Sequence, residues 1–325
     1  MSAASGKRRL GVIGTFVWDV IYGRDPRRDP VEEWGGITYA LSAFDAALPD
    51  DWHVVPLAKV GSDLWPHARR FVSGLRRVAP DAMPIEVAAA NNRVRLEYAT
   101  DELRSEILQG GVPPWTWAGL RPLLHDLDAL YINLISGFEL DLETLQLIRR
   151  HYHGPIYLDL HSLLLGIQPD GTRFPQPIAD PRAWFACADL LQVNETEMSL
   201  MAPDPMALSA TAMHAGVQSL LVTLGKRGVV YVLSPGFDRL KDLQRGSEQR
   251  EGAVRTALVP AEHVDTPGDP TGCGDVFGAT YFSRLLAGDT FAVALRAAIH
   301  AASRNVVFRG AGGLSAFLRG ELLRT

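Results

Sequence analysis

Asp275 stands in the stretch DPTGCGDVFGAT (residues 269–280), behind Gly272, Cys273 and Gly274 and ahead of an apolar run at helical spacing. The spacing predicts a helix that starts near Gly272, so the N–H groups of Gly272, Cys273, Gly274 and Asp275 are donors with no carbonyl partner inside that helix. Glycines let a ligand approach the backbone closely, and the helix dipole adds partial positive charge. Such a turn suits negative charge that develops in a transition state, as on a phosphoryl group in flight. The carboxylate of Asp275 need not face that anion. It can accept the proton of an incoming hydroxyl while the amides hold the transferred group, which would serve in-line phosphoryl transfer to an alcohol. Asp and Gly are also favoured at helix starts and turns that do no chemistry. Taken alone, the stretch fits that plainer role better.

Such a turn needs elements to hold it. Strand-length apolar runs recur at LGVIG (10–14), HVVPLAKV (53–60), ALYINLI (129–135), PIYLDL (155–160), DLLQVN (189–194), LLVTLG (220–225) and VVYVL (229–233). Several are continuous rather than alternating, as in strands buried on both faces. Helical periodicity separates them at 39–48, 63–78 and 140–152, and the C-terminal third turns helical over 275–287 and about 290–307. The alternation predicts an α/β fold with a mostly parallel sheet covered on both faces. Residues 15–34 and roughly 85–110 break the pattern and predict a small sheet set apart, while 239–252 reads as an exposed loop. Ligands bind beyond the carboxyl ends of the strands in open α/β sheets, which draws Asp159, Asn194, Gly225 and the 269–275 turn together.

The 325 residues carry a net charge of −5 with no long block of one sign, which argues against nucleic acid as a partner. Cys187 and Cys273 are far apart and form no metal-ligand pattern, in keeping with a reducing, cytoplasmic setting. No run reaches the roughly 20 apolar residues of a membrane span. The histidines of HYH (151–153) and His161 read as loop or surface residues, and no companion pattern marks them as metal ligands.

Six segments, in order, resemble the PfkB family of carbohydrate kinases: GTFVWDVIYG (14–23), WGGITYALSAFDAAL (34–48), AKVGSDLWP (58–66), LQVNETEMSLM (191–201), LLVTLGKRGVVYV (220–232) and DPTGCGDVFGA. The resemblance spans nearly the whole chain. It implies one ribokinase-like domain over residues 1–325, a three-layer α/β/α sandwich with a small β lid from roughly 15–34 and 85–110. It further implies that Asp275 is the general base, with Gly272, Cys273 and Gly274 forming the anion hole. Asn194 and Glu197 would order Mg²⁺ through its waters, in line with the few protein ligands Mg²⁺ takes. Thr223, Gly225 and Gly228 would line the ATP side, and Asp19, Gly35 and Gly36 would contact the acceptor's hydroxyls. Asp269 and the Thr271 carbonyl would sit where many members bind a monovalent cation such as K⁺, and a homodimer through the small sheet is the family expectation.

Each residue also has a plainer role open to it. Asn194 and Glu197 fit a helix cap with its first-turn acid, Gly225 and Gly228 fit a strand turn, and Asp19 fits a solvated position. Cys273 reads as a small filler at the helix start, since the matching family position is usually alanine. The chain departs from the family at Ala40, where an asparagine usually follows the second glycine by four residues; Tyr39 precedes it. That departure bears on which acceptor is used. Asn133, Glu139, Asp159 and His161, at or just past strand ends, are further candidates to shape the acceptor pocket. The acceptor is expected to be a sugar, with a nucleoside as the alternative; a non-catalytic sugar- or nucleotide-binding regulator would have no need of the base.

Overall fold

The computed structural model describes residues 6–22, 30–98, 104–244, 252–265 and 268–322. The chain begins with β1 (Arg8–Ile13), β2 (Phe16–Tyr22), β3 (Val31–Gly36), α1 (Ile37–Ala47), β4 (Trp52–Leu57), β5 (Lys59–Gly61), α2 (Trp65–Ser73), β6 (Ile85–Val87), β7 (Arg93–Tyr98) and β8 (Arg104–Gln109). It continues through α3 (Trp117–Leu124), β9 (Ala129–Asn133), α4 (Leu142–His151), β10 (Ile156–Asp159), β11 (Leu165–Ile167), β12 (Arg173–Pro175), α5 (Pro181–Phe185), β13 (Leu190–Asn194) and α6 (Glu195–Ser199). The last part holds α7 (Pro205–His214), β14 (Ser219–Thr223), β15 (Val229–Leu233), β16 (Arg255–Val259), α8 (Cys273–Leu286), α9 (Phe291–Val306) and α10 (Leu314–Leu318).

Eight strands form the central sheet in the order β16-β15-β14-β13-β10-β9-β1-β4. The six from β14 to β4 are parallel, and β15 and β16 close one edge antiparallel. The continuous apolar strands follow from having two covered faces. Leu10, Val12, Tyr131, Tyr157, Leu190 and Leu221 point into one core with α1, α8 and α9. Their neighbours Ile13, Ile132, Leu158, Leu191 and Val222 point into a second core with α3, α4 and α7. Alternate side chains thus serve opposite layers, and the expected three-layer α/β architecture is present.

A second sheet, in the order β3-β2-β7-β8, stands apart and carries Asp19, Gly35 and Gly36. Trp18 and Trp34 face each other across β2 and β3 with ring centroids 5.0 Å apart and nearly perpendicular planes. Its strands correspond to the two segments that broke the helical pattern, although residues 23–29 and 99–103 lie outside the described residues. Residues 85–87 do not join it. They pair with β5 in a separate two-stranded sheet.

Three boundaries differ for physical reasons. The helix expected to 78 stops at Ser73, because Arg77 and Val78 are drawn into extended pairing with Val54. β16 went unread because its side chains are mostly exposed at the sheet edge, which leaves no apolar period. Of the loop expected over 239–252, Leu240–Asp242 form one turn of 3₁₀ helix, and residues 245–251 lie outside the described residues. Among the described residues, no helix is long and apolar enough to cross a membrane.

Candidate active site

The carboxyl ends of the parallel strands bring the chemistry-bearing residues into line. Asp159 sits in register with Asn133 on one side and Gln192 on the other, and Asn194 with Thr223. Over this edge lies the start of α8. Gly272 adopts the left-handed conformation at φ 75°, and a β-carbon there would overlap the Tyr39 ring. Only glycine meets both demands without strain. No side chain caps this helix.

The expected four-amide hole is smaller than the sequence suggested. Cys273 N–H donates to the Pro270 carbonyl at 3.1 Å, so it is not available to an anion. Among the described residues, the N–H groups of Gly272 and Gly274 have no acceptor, and that of Asp275 lies against its own carboxylate. The Cys273 thiol donates to the Ala302 carbonyl at 3.5 Å and accepts from Asn305 Nδ2 at 3.3 Å. Burial pushes it up to about 11, so it stays a thiol and fills space.

Asp275 is only 6% exposed. Asn133 Nδ2 donates to its Oδ1 at 2.6 Å. Burial raises its carboxyl to about 7, against the pull of that amide, which places it near the ideal of a base working at neutral pH. Behind it runs a buried polar chain. Tyr157 donates its hydroxyl proton to Gln192 Oε1 at 2.6 Å, and Gln192 Nε2 donates to Asp159 Oδ2 at 2.7 Å and to the Gly274 carbonyl at 3.1 Å. Gln192 therefore ties the first turn of α8 to the sheet. Burial, then the negative charges of Glu197 and Asp275, hold the Asp159 carboxyl well above the usual range. His161, at φ 39°, donates its N–H to Asp159 Oδ1 at 3.2 Å. Glu139 serves the fold instead: its carboxylate accepts from Thr15 Oγ1 and from the N–H groups of Ser136 and Gly137.

Asn194 and Glu197 form a reciprocal cap on α6. Asn194 Oδ1 accepts from Glu197 N–H, and Glu197 Oε2 from Asn194 N–H, both at 2.8 Å. Local structure alone thus accounts for both residue types. Even so, burial and then the charge of Asp275 raise the Glu197 carboxyl, which sets it in the same acidic neighbourhood as Asp159. Thr223 ends β14, and Gly225 and Gly228 form the turn into β15. Gly228 is packed against the Val259 backbone, whereas nothing lies within 4 Å of where a Gly225 β-carbon would be.

On the small sheet Asp19 is buried, its carboxylate so close to Gly35 that a side chain there would collide with it. Glu33 approaches Arg309 at 4.0 Å. Asp269 Oδ1 accepts from Thr271 N–H at 2.9 Å and from its hydroxyl at 2.6 Å. Asn305 Nδ2 donates to the Thr271 carbonyl at 2.9 Å, while its Oδ1 is buried without a partner.

Comparison with known proteins gives the family and the fold. A family model described as pfkB family carbohydrate kinase matches residues 172–315. A ribokinase of Bacillus subtilis (strain 168) is 33% identical over 314 residues, covering 94% of this chain and 95% of that protein. The chain belongs to the pfkB family. Solved structures share the fold at lower identity. A Burkholderia thailandensis nucleoside kinase in complex with inosine superposes with a TM-score of 0.69 at 17% identity, covering 96% of this chain and 95% of the other. An Arabidopsis thaliana ribokinase with ribose and ATP gives 0.65 at 17% identity over 97% and 99% of the two chains. A Thermotoga maritima ribokinase gives 0.67 at 16% identity, over 95% of each.

Of the residues matched to the pfkB family, Asn194, Thr223 and the start of α8 gather at the edge of the central sheet while Asp19, Gly35 and Gly36 lie on the small sheet, and three partners were not marked by the motifs. Gln192 was visible only as a polar residue inside an apolar strand. Tyr39 stood in the sequence as one of the aromatics near the small sheet, with nothing to mark it as a neighbour of Gly272. Asn305, wholly buried in a helix of small and apolar residues, carried no local signal.

Proposed function

We propose that the protein transfers the γ-phosphate of ATP to a hydroxyl of a sugar or sugar-like acceptor, with Asp275 as general base and the open start of α8 as the anion hole. One observation carries this reading: a buried carboxylate with its pKa near 7 shares a helix turn with N–H groups that no acceptor among the described residues satisfies. Asp275 would take the acceptor's proton while Gly272 and Gly274 N–H groups, aided by the helix dipole, hold the transferred group. Gln192 and Asn133 keep turn and base in position. Asp19, Gly35 and Gly36 would bind the acceptor from the small sheet, which would act as a lid, and Thr223 and Gly225 would flank the nucleotide.

Beyond the effect of burial, the charges of Glu197 and Asp275 raise the Asp159 carboxyl and that of Asp275 raises Glu197, so the edge is rich in negative charge and suits a hard divalent cation. Among the described residues no three metal-ligating side chains gather around one point, and Asn194 and Glu197 would therefore hold Mg²⁺ through water. Bound there, Mg²⁺ would neutralise charge on the phosphates. The unpartnered Asn305 Oδ1, on the side chain that already meets the Thr271 carbonyl, adds an oxygen to Asp269 and Thr271 for a monovalent cation.

The test is acceptor-dependent ADP release from Mg²⁺-ATP across a panel of sugars and nucleosides. Turnover with one or more members is expected. ATP binding without ADP release from any acceptor would favour a regulatory binding protein of the same fold.

A further inference from the structure

The amino ends of the parallel strands, opposite the candidate active site, frame a cavity of about 730 Å³. Small-molecule sites commonly enclose about 300–1,000 Å³. Arg8 and Trp52, the first residues of β1 and β4, stand side by side in its wall, and Asp128, just ahead of β9, lies beside them. α8 opens at Gly272 in the candidate active site and ends in this wall with Leu285 and Leu286. Its 14 residues span about 21 Å, so the two places are separate.

The wall has two characters. Leu240, Leu285, Leu286 and Trp52 give it an apolar side, whereas three cations, Arg8, Arg239 and Lys241, face one acid, Asp128. Asp128 Oδ2 already accepts from Arg9 N–H at 2.7 Å. Arg8 lies over the Trp52 ring, 4.5 Å from its centroid, and pairs with Asp51 at 2.5 Å. Arg239 donates to the Gly288 carbonyl at the end of α8. Lys241 is exposed, and the described residues offer it no carboxylate partner. The indole N–H of Trp52 is buried without an acceptor among the described residues, a cost that a ligand oxygen would offset.

We propose that this cavity is a second small-molecule site, for an organic anion that joins an apolar body to a phosphate or carboxylate. The body would lie against Trp52 and the leucines, and the anionic group among Arg8, Arg239 and Lys241. A guanidinium offers paired donors to either anion, and an ammonium adds a point charge. A neutral polyol would leave the cations without a partner, and a free inorganic anion would leave the apolar side uncovered. The site uses no residue of the candidate active site, so it stands or falls independently of the kinase reading.

The test is calorimetric binding of naphthyl phosphate and naphthoate to the full chain, with Mg²⁺ and a non-hydrolysable ATP analogue filling the candidate active site. Naphthol keeps the body without the charge, and inorganic phosphate keeps the charge without the body. One-to-one binding of at least one naphthyl anion is expected, at least about tenfold tighter than naphthol or inorganic phosphate. The tighter of the two anions tells phosphate from carboxylate. Lys241→Glu, at an exposed position, should weaken that binding about tenfold while leaving the ATP analogue unaffected. Asp275→Asn should leave it unchanged. The proposal is overturned if neither anion binds, if naphthol or inorganic phosphate binds as tightly, if Lys241→Glu leaves the affinity unchanged, or if Asp275→Asn abolishes binding and so moves it to the other end of α8.

Discussion

The starts of α6 and α8 are built from similar residue types and come out opposite. Each begins at the sheet edge, and each has an acid at its third position, Glu197 in one and Asp275 in the other. At α6 the acid turns back on its own helix. Asn194 and Glu197 satisfy each other's backbone donors, and the turn is closed. At α8 the cap residue is Gly272, which has no side chain to fold back, and the acid is held from outside by Asn133 on β9. Donors at Gly272 and Gly274 remain open. Withholding the cap thus leaves the open donors that the proposed anion site needs, and the proposed base is the carboxylate that a different element holds.

The largest effect expected from breaking this contrast falls on Asp275. Asp275→Asn keeps the Asn133 contact within reach but cannot take a proton, so turnover should drop about 100- to 10,000-fold with ATP binding nearly intact. Unchanged steady-state turnover would remove the assigned base. The same substitution has a stability signature of known sign. The folded-state pKa is raised to about 7, so the native protein holds a proton that the unfolded chain releases near pH 4. Stability from this group is full below pH 4 and lost as pH rises through 7. Asp275→Asn should therefore melt higher than the parent at pH 8, with the difference fading by pH 4.

Gly272→Ala attacks the turn rather than the base. The left-handed conformation costs a residue with a β-carbon about 1–2 kcal/mol, and overlap with the buried Tyr39 ring adds to that. A drop in melting temperature together with loss of turnover is expected. A variant that folds and turns over normally would show that the open turn is not needed.

A smaller, more specific change should follow from Asn133→Leu. Burial raises Asp275 to about 7 and the Asn133 amide opposes that by favouring the ionised form, so kcat/KM of the parent is expected to rise with pH through about 7. A hydrogen bond to a charged group contributes about 1.5 kcal/mol or more, which corresponds to roughly one pKa unit. The rising limb should move up by about that much, while the plateau at high pH changes less. A limb that stays in place would sever Asn133 from the base.

Much of this was legible in the sequence, and unevenly. The strands of the parallel sheet could be read because burial on both faces writes unbroken apolar runs, and the third-position acids could be read because helix starts are local. The fate of each donor was not local. Cys273 N–H, one of the amides expected in the anion hole, donates instead to Pro270, three residues back. Gln192 meets Gly274 across 82 positions of chain, and Tyr39 meets Gly272 only because α1 packs on α8. A motif names residue types; which element holds each side chain is decided by packing between segments that share no pattern.

The least disruptive test separates the two possible jobs of Glu197. Glutamine can replace glutamate in a reciprocal cap, since its side-chain oxygen still accepts from the Asn194 N–H. Glu197→Gln should therefore leave melting temperature and acceptor KM close to those of the parent. What it removes is charge, in a neighbourhood where burial and the charge of Asp275 already raise the carboxyl's affinity for protons. If Glu197 also orders the waters of Mg²⁺, half-maximal activation should need a few-fold more Mg²⁺ at fixed ATP, with kcat at saturating Mg²⁺ moved less. If capping is its whole function, the Mg²⁺ titrations of variant and parent will superimpose. The closed turn and the open turn would then divide the work cleanly, structure at α6 and chemistry at α8.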